Sequence, residues 1–89
     1  MNNKLNQLRV KIDGADRALL KALGVRFKAV KELGYLKKKL RMPIVQKSRW
    51  NQVMKDRLKK AKKVNLSRSF TKAIFNLIQD EAIRIQKKR

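Results

Sequence analysis

The chain has 89 residues, of which 43% are hydrophobic, 26 are lysine or arginine and 6 are aspartate or glutamate, giving a formal net charge of +20. A single small domain over residues 1–89 is expected, and its substrate or partner should be anionic. The absence of cysteine and histidine argues against disulfides, thiolate metal sites and histidine acid–base chemistry, so we predict neither a metal nor a cofactor.

The amino-terminal segment MNNKLNQLRV lacks the continuous apolar stretch of a signal peptide. No apolar run in the sequence approaches the roughly 18 to 20 residues that cross a bilayer. We therefore expect a soluble, cytoplasmic protein without a membrane partner.

The first predicted element is one long helix that starts near Leu5. Pro43 should end it near Arg41 or Met42, because proline disfavours helical geometry in the residue before it. A helix of about 36 residues is about 54 Å long, whereas a domain of ~100 residues has a radius of gyration of only ~13 Å. One chain cannot cover such a helix, so a second chain is expected. The apolar positions, at spacings of mostly three, four or seven, are Leu5, Leu8, Ile12, Ala15, Leu19, Leu23, Val30, Leu33, Leu36 and Leu40.

Two cations, Arg26 and Lys37, fall within this apolar stripe. Eleven residues at 100° each return to within about 20° of the starting direction, so the two side chains point the same way, ~16 Å apart. They could hold opposite ends of a small dianion. The alternative is that both lie along apolar surface with their charged ends in water. The chain has only 6 acidic residues for 26 basic ones. This favours the hypothesis that the counter-charge is a carboxylate of a bound ligand.

Arg9 precedes Arg26 by 17 residues, which places it roughly 100° around the same helix. It should not reach a ligand that Arg26 holds in the same chain. In an intertwined dimer it could reach the partner's site, and the alternative for Arg9 is a solvated surface arginine.

Two shorter helices are predicted after the proline loop, and no strand is predicted. Ser48 can cap the second helix, which fades in the basic segment KKAKKVN, and Ser67 can cap the third, which frays in QKKR. The predicted fold class is all-α, with a long, a short and a medium helix. The second helix carries Trp50, Val53, Met54, Arg57, Leu58 and Ala61 at helical spacing, and the third carries Phe70, Ile74, Leu77, Ile78, Glu81 and Ile85.

Three further residues are candidates for a site. Arg49 begins the second helix, where free N–H groups and the helix dipole already favour an anion. Trp50, the single tryptophan, either packs in the core or forms the wall of an apolar pocket. Gln86 is either exposed near a fraying terminus or directed at a ligand.

These residues, taken in order, resemble the all-helical chorismate mutases of the AroQ class over essentially the whole chain. The segment beginning LRVKID resembles the start of the family's first helix. RFKAVKELGYLKKKLRMPI resembles its arginine, its lysine eleven residues later and its proline loop. QKSRW corresponds to the loop and the second-helix arginine, and LSRSFTKAIFNLIQDEAIRIQ resembles the third helix with its terminal glutamine.

The resemblance implies an intertwined homodimer of three-helix subunits. It also implies the Claisen rearrangement of chorismate to prephenate, a pericyclic reaction that requires no nucleophile, metal or proton shuttle. Catalysis then consists of holding the reactive conformer of a dianionic substrate and stabilising negative charge on the breaking ether oxygen.

Residue by residue, the resemblance implies that Arg9 of one subunit and Arg26 of the other bind substrate carboxylates. Lys37 and Gln86 match the pair that donates hydrogen bonds to the ether oxygen. Arg49 matches the arginine that lines the pocket at the start of the second helix.

Three positions depart from the family's common pattern. Trp50 replaces a glutamate that accepts a hydrogen bond from the substrate's ring hydroxyl, Gln46 replaces an acidic loop residue, and Ala82 stands where serine is frequent. Trp50 and Gln46 favour, as alternatives on the same fold, an isochorismate pyruvate lyase or a 4-amino-4-deoxychorismate mutase. Trp50 and Ala82 also leave open a regulatory or interaction module without activity.

A rival function from another class is binding of nucleic acid, because a net charge of +20 and a pI near 11.4 are typical of proteins that bind the phosphate backbone. Against it, the cations are spread over all three helices, no known DNA-binding motif occurs, and aromatic residues for base stacking are few. We therefore favour the enzyme.

Overall fold

The computed structural model describes residues 2–88, and these form three α-helices and no strand. Helix α1 (Asn2–Lys39) has 38 residues, α2 (Lys47–Lys63) has 17 and α3 (Arg68–Lys87) has 20. Helix α3 packs against both α1 and α2. The predicted all-α class and the order of long, short and medium helix are confirmed.

Helix α1 sets the shape of the chain. The molecule measures 59 × 24 × 15 Å with a radius of gyration of 16.6 Å, against roughly 12 Å for a compact chain of this length. A helix of 38 residues is about 57 Å long, whereas α2 and α3 reach only about 25 and 30 Å. The two shorter helices therefore cover only part of α1.

The amino-terminal half of α1 leaves large apolar side chains exposed. Leu5 is 47% exposed, Leu8 is 44% exposed and Ile12 is 58% exposed. They lie on one face of the helix, because their spacings of three and four residues return to nearly the same direction. Large apolar side chains that are exposed in a row are typical of interaction surfaces.

Helix α1 ends in a backbone turn two residues before the predicted position. Arg41 adopts a left-handed conformation with φ 56°, its N–H donates to the carbonyl of Lys38 at 3.1 Å, and the N–H of Met42 donates to the carbonyl of Lys37 at 2.8 Å. This pair of bonds is the Schellman motif. These backbone hydrogen bonds end the helix at Lys39. Pro43 restricts only the residue before it, Met42, and therefore does not set the end of the helix.

The prediction that Ser48 caps the second helix is wrong, whereas that for Ser67 is confirmed. Helix α2 begins at Lys47 with Gln46 as its N-cap, and no side chain caps it. The N–H of Trp50 already bonds the carbonyl of Gln46 at 3.0 Å, which places Ser48 inside the first turn. At α3, the Ser67 hydroxyl accepts a hydrogen bond from the N–H of Phe70 at 3.2 Å.

Few side chains are buried within residues 2–88, and half of those are polar. The apolar ones are Val53, Ala61 and Ala82, and the polar ones are Lys37, Thr71 and Gln86. Burial of polar groups is costly unless they are hydrogen-bonded, so their presence points to a site. Between residues 2 and 88, no helix has both the length and the apolar character needed to span a membrane.

Candidate active site

A cavity of about 140 Å³ lies between α1, the loop of residues 40–46, α2 and α3. Its wall combines four cations and three amides with apolar side chains. The cations are Arg26, Lys37, Arg49 and Arg57, the amides are Gln46, Gln79 and Gln86, and the apolar residues are Val30, Leu33, Ile44, Trp50, Val53 and Ala82. No carboxylate, hydroxyl or thiol group is among these residues, so the cavity is electrostatically suited to an anion.

The fold brings together all but one of the residues that the sequence singled out. Those on the cavity wall are Arg26, Lys37, Gln46, Arg49, Trp50, Ala82 and Gln86. Arg9 is the exception. It lies exposed on the amino-terminal half of α1, about 26 Å along the helix from Arg26 at 1.5 Å per residue, and it does not line the cavity of its own chain.

Lys37 and Gln86 form a hydrogen-bonded pair between α1 and α3. Lys37 is 8% exposed and Gln86 is 5% exposed, and the ammonium group donates to the amide Oε1 at 2.9 Å. Lys37 also donates to the carbonyl of Ile44 at 2.6 Å, which ties the α1–α2 loop to the site. These contacts fix the lysine, and a fixed ammonium group is a prepared donor for an oxygen that gains charge.

The amide group of Gln86 retains capacity to donate. Its Nε2 donates to the carbonyl of Ala82, one turn earlier, at 3.3 Å, and a primary amide carries two N–H donors. Because Oε1 is occupied by Lys37, the amide orientation leaves Nε2 as the group that can serve a ligand.

Gly34 allows the close approach of α1 to α3 beside this pair. A Cβ added at Gly34 would lie 3.1 Å from Cγ and 3.4 Å from Cα of Gln86, whereas a Cβ at Gly24 would meet nothing within 4 Å. The smallest residue therefore stands where the backbone of α1 meets the side chain of the site glutamine.

This contrast gives a matched pair of variants. Gly24→Ala should raise the free energy of unfolding by about 0.5–1 kcal/mol, because alanine is a better helix residue than glycine. Gly34→Ala should lose that gain, because Gln86 must move to admit the new methyl group. Chemical denaturation measures the stability, and the side-chain amide NMR resonances of Gln86 report its displacement. Equal stabilisation by both variants, with unshifted Gln86 resonances, would contradict the prediction.

Arg26 contains a buried donor without a partner. Its Nη1 atom is inaccessible to solvent and makes no hydrogen bond among the described residues. Burial lowers the pKa of the Arg26 guanidinium from its usual value, and the positive charges of Arg57 and Arg49 lower it further. A buried unpaired charge is costly, and a bound carboxylate would offset that cost.

Arg49 lies exposed in the first turn of α2. That turn contains no acidic residue, and no side chain caps it. The free N–H groups and the positive end of the helix dipole therefore add to the field of the arginine at the rim of the cavity.

Arg57 and Gln79 also line the cavity, although neither was predicted as a site residue. The signal was present for each. Arg57 follows Trp50 by seven residues and Val53 by four, so it stands on the inner face of α2. Gln79 precedes Gln86 by seven residues on α3. Both residues therefore show the pattern that singled out Arg26 and Lys37, a polar side chain on the inward face of a helix.

The described residues contain no group of three or more histidine, cysteine, aspartate or glutamate side chains that could hold a metal ion.

Most of the chain matches a known protein family. The family model described as chorismate mutase type II matches residues 8–87. No curated protein and no solved structure matches the sequence significantly.

Proposed function

The chain belongs to the chorismate mutase type II family, and from this premise we propose that it catalyses the Claisen rearrangement of chorismate to prephenate. Membership supports a chorismate mutase-type enzyme in general terms. The specific reaction is supported by one observation above the others, the buried Lys37–Gln86 pair on the wall of a cavity that also holds three arginines.

The wall of the cavity suits a reaction that needs no proton transfer or covalent intermediate. Its polar members are guanidinium, ammonium and amide groups, none of which is an effective nucleophile or base in its ordinary ionisation state. Such groups can bind, orient and stabilise charge. A pericyclic rearrangement of a bound dianion requires nothing more.

Four polar residues of the wall have roles in this proposal. Arg26, with its unpartnered Nη1, binds a substrate carboxylate. Lys37 and Gln86 donate to the ether oxygen as its bond to carbon breaks, and the charge that develops there strengthens both hydrogen bonds. Arg49 neutralises the substrate's charge at the rim. Trp50, Val30 and Leu33 provide apolar contacts for the ring and exclude water.

We place the enzyme in a homodimer in which Arg9 of the partner subunit completes the site. The support is the exposed apolar row on α1 and a second, largely apolar cavity of about 650 Å³ between α1, α2 and α3. Leu19, Leu23 and Phe70 are among the residues that line this groove. A two-fold pairing would bury both surfaces at once, because each subunit carries the row and the groove.

Isochorismate is the second candidate substrate, with pyruvate and salicylate as products. The observation that favours it is the absence of any carboxylate on the cavity wall, where Gln46 and Trp50, by the resemblance to the family, replace acidic residues. The ring hydroxyl of chorismate therefore meets no anionic acceptor. The same absence weighs against 4-amino-4-deoxychorismate, because a cationic amine would lie among four cations without a counter-charge.

Product analysis distinguishes these reactions. Purified protein is incubated separately with chorismate, isochorismate and 4-amino-4-deoxychorismate, and the products are identified by NMR. We expect prephenate from chorismate. Salicylate with pyruvate from isochorismate would instead establish the lyase. Unchanged substrate in all three samples would refute an enzymatic role on this compound class and direct attention to nucleic-acid binding, which a salt-dependent binding assay would measure.

A further inference from the structure

Arg57 has no assigned role in the proposed function, yet it stands at a distinctive place in the fold. It is on α2 and lines both the active-site cavity and the apolar groove behind it, and Arg26 does the same. The two arginines therefore separate the two cavities. Their charges are close enough that Arg57 lowers the pKa of Arg26.

Arg57 pairs with its chain neighbour Asp56 and keeps further hydrogen-bond donors. Its Nη1 donates to the carboxylate of Asp56 at 2.6 Å, and a guanidinium group has five N–H donors in a planar fork. Lys60 also pairs with Asp56, at 3.2 Å. The hydrogen bonds from Arg57 and then Lys60 lower the pKa of the Asp56 carboxyl below its usual value, so this anchor stays charged near neutral pH.

Two like charges on the wall of one cavity require an explanation. Asp56 neutralises part of the charge of Arg57, but it does not line the cavity, and it makes no contact that satisfies Nη1 of Arg26. Arg26 and Arg57 thus both line a cavity that has no protein carboxylate on its wall. A carboxylate with two oxygens can accept hydrogen bonds from both.

We infer that Arg57 is a second carboxylate-binding residue of the active site and acts beside Arg26 on the same substrate carboxylate. This rests on the proposed function, because the substrate class is a dicarboxylate held away from water. It means that one subunit supplies two guanidinium groups for one end of the substrate. Arg9 of the partner is then left for the other end.

Substitution of Arg57 tests the inference through substrate binding. Arg57→Met keeps an unbranched apolar stem and a similar helix propensity while removing the guanidinium group and its charge. It should raise KM roughly tenfold to a hundredfold with little change in kcat, because the carboxylate is bound equally in the ground and transition states. Arg57→Lys should recover part of the loss, because it restores the charge without the bidentate geometry. If Arg57→Met fails to fold, the test is made with Arg57→Lys, whose KM should still exceed that of the unaltered protein.

The matched control is Lys59→Met, which removes one charge from the exposed face of the same helix. It should leave KM unchanged at constant ionic strength. An equal rise in KM for Lys59→Met and Arg57→Met would show that only the overall field matters and would overturn the inference. An unchanged KM for both Arg57 variants would overturn it as well.

A binding measurement separates this inference from the proposed reaction. Adipate, a flexible dicarboxylate, is titrated into each protein while the fluorescence of Trp50, the single tryptophan, reports occupancy of the cavity. Weaker binding to Arg57→Met than to Lys59→Met supports the inference even if no substrate is turned over. Turnover of chorismate with no dependence of either KM or adipate affinity on Arg57 leaves the proposed function standing and refutes the inference. An unaltered protein that neither turns over a substrate nor binds adipate refutes it too.

Discussion

Lys37→Ala is expected to lower kcat by about 10²- to 10³-fold, the usual effect of removing a donor that stabilises developing negative charge in an enclosed site. The ammonium group is buried and held by Gln86 and the carbonyl of Ile44, and alanine provides no donor in its place. The variant also leaves those two acceptors without their donor. A loss of about 1–3 kcal/mol in stability should accompany the loss of activity. Steady-state kinetics together with chemical denaturation measure the two effects separately.

The control for this substitution is Lys38→Ala, which removes an exposed lysine from the next position of α1. It should alter neither kcat nor stability appreciably. Lys37→Ala with normal kcat would remove the lysine from the mechanism. A variant that is inactive only because it is unfolded would be recognised from its circular dichroism, and Lys37→Gln then provides a second neutral side chain for the kinetic comparison.

Leu8→Asp is expected to convert the proposed homodimer into single chains. The reason is that two-fold symmetry places two copies of every substitution in the interface. Each buried leucine contributes about 1.5–3 kcal/mol, so the dissociation constant should rise by about 10²-fold or more, before the cost of burying a carboxylate is added. Light scattering coupled to gel filtration, or sedimentation equilibrium, should show a change from two chains of 10.5 kDa each to one.

Val10→Asp is the matched control, because Val10 is 66% exposed and lies about 200° from Leu8 around the helix. It should remain dimeric. Leu8→Asp should also lose activity at concentrations where it dissociates, since Arg9 then has no partner site to complete. An unaltered protein that sediments as a single chain of 10.5 kDa would contradict the dimer, and activity of that single chain would remove Arg9 from the site.

The helices could be predicted from the sequence because their signals are local. Apolar spacing located all three, and the hydroxyl of Ser67 marked the start of α3 correctly. The errors at Ser48 and at the end of α1 have a common cause. Backbone hydrogen bonds set both boundaries, and Arg41, an uncommon residue for a left-handed conformation, gave no warning of the turn in which it takes part.

The candidate site was predictable to a similar degree. Arg26 and Lys37 stood out as charges in an apolar stripe, whereas the approach of Lys37 to Ile44 and Gln86 depends on how the loop and α3 fold back on α1. Arg57 likewise lies among apolar residues on the inner face of α2. Because α2 is short, few apolar positions define that face, and the arginine does not stand out from them. The proposed cover for the amino-terminal half of α1 is a second copy of the chain, and the pattern within one chain indicates only which apolar side chains lie on that face.

The position of α3 has a consequence for biosynthesis. It is the last of the three helices to leave the ribosome, and within residues 2–88 it is the helix that packs against both of the others. Helices α1 and α2 therefore have no helix to pack against until α3 has been synthesised. The hydrogen bond between Lys37 and Gln86 forms only then. A small helical domain with mostly local contacts folds quickly once its elements are present. Until then, the exposed leucines of the nascent α1 are available to chaperones.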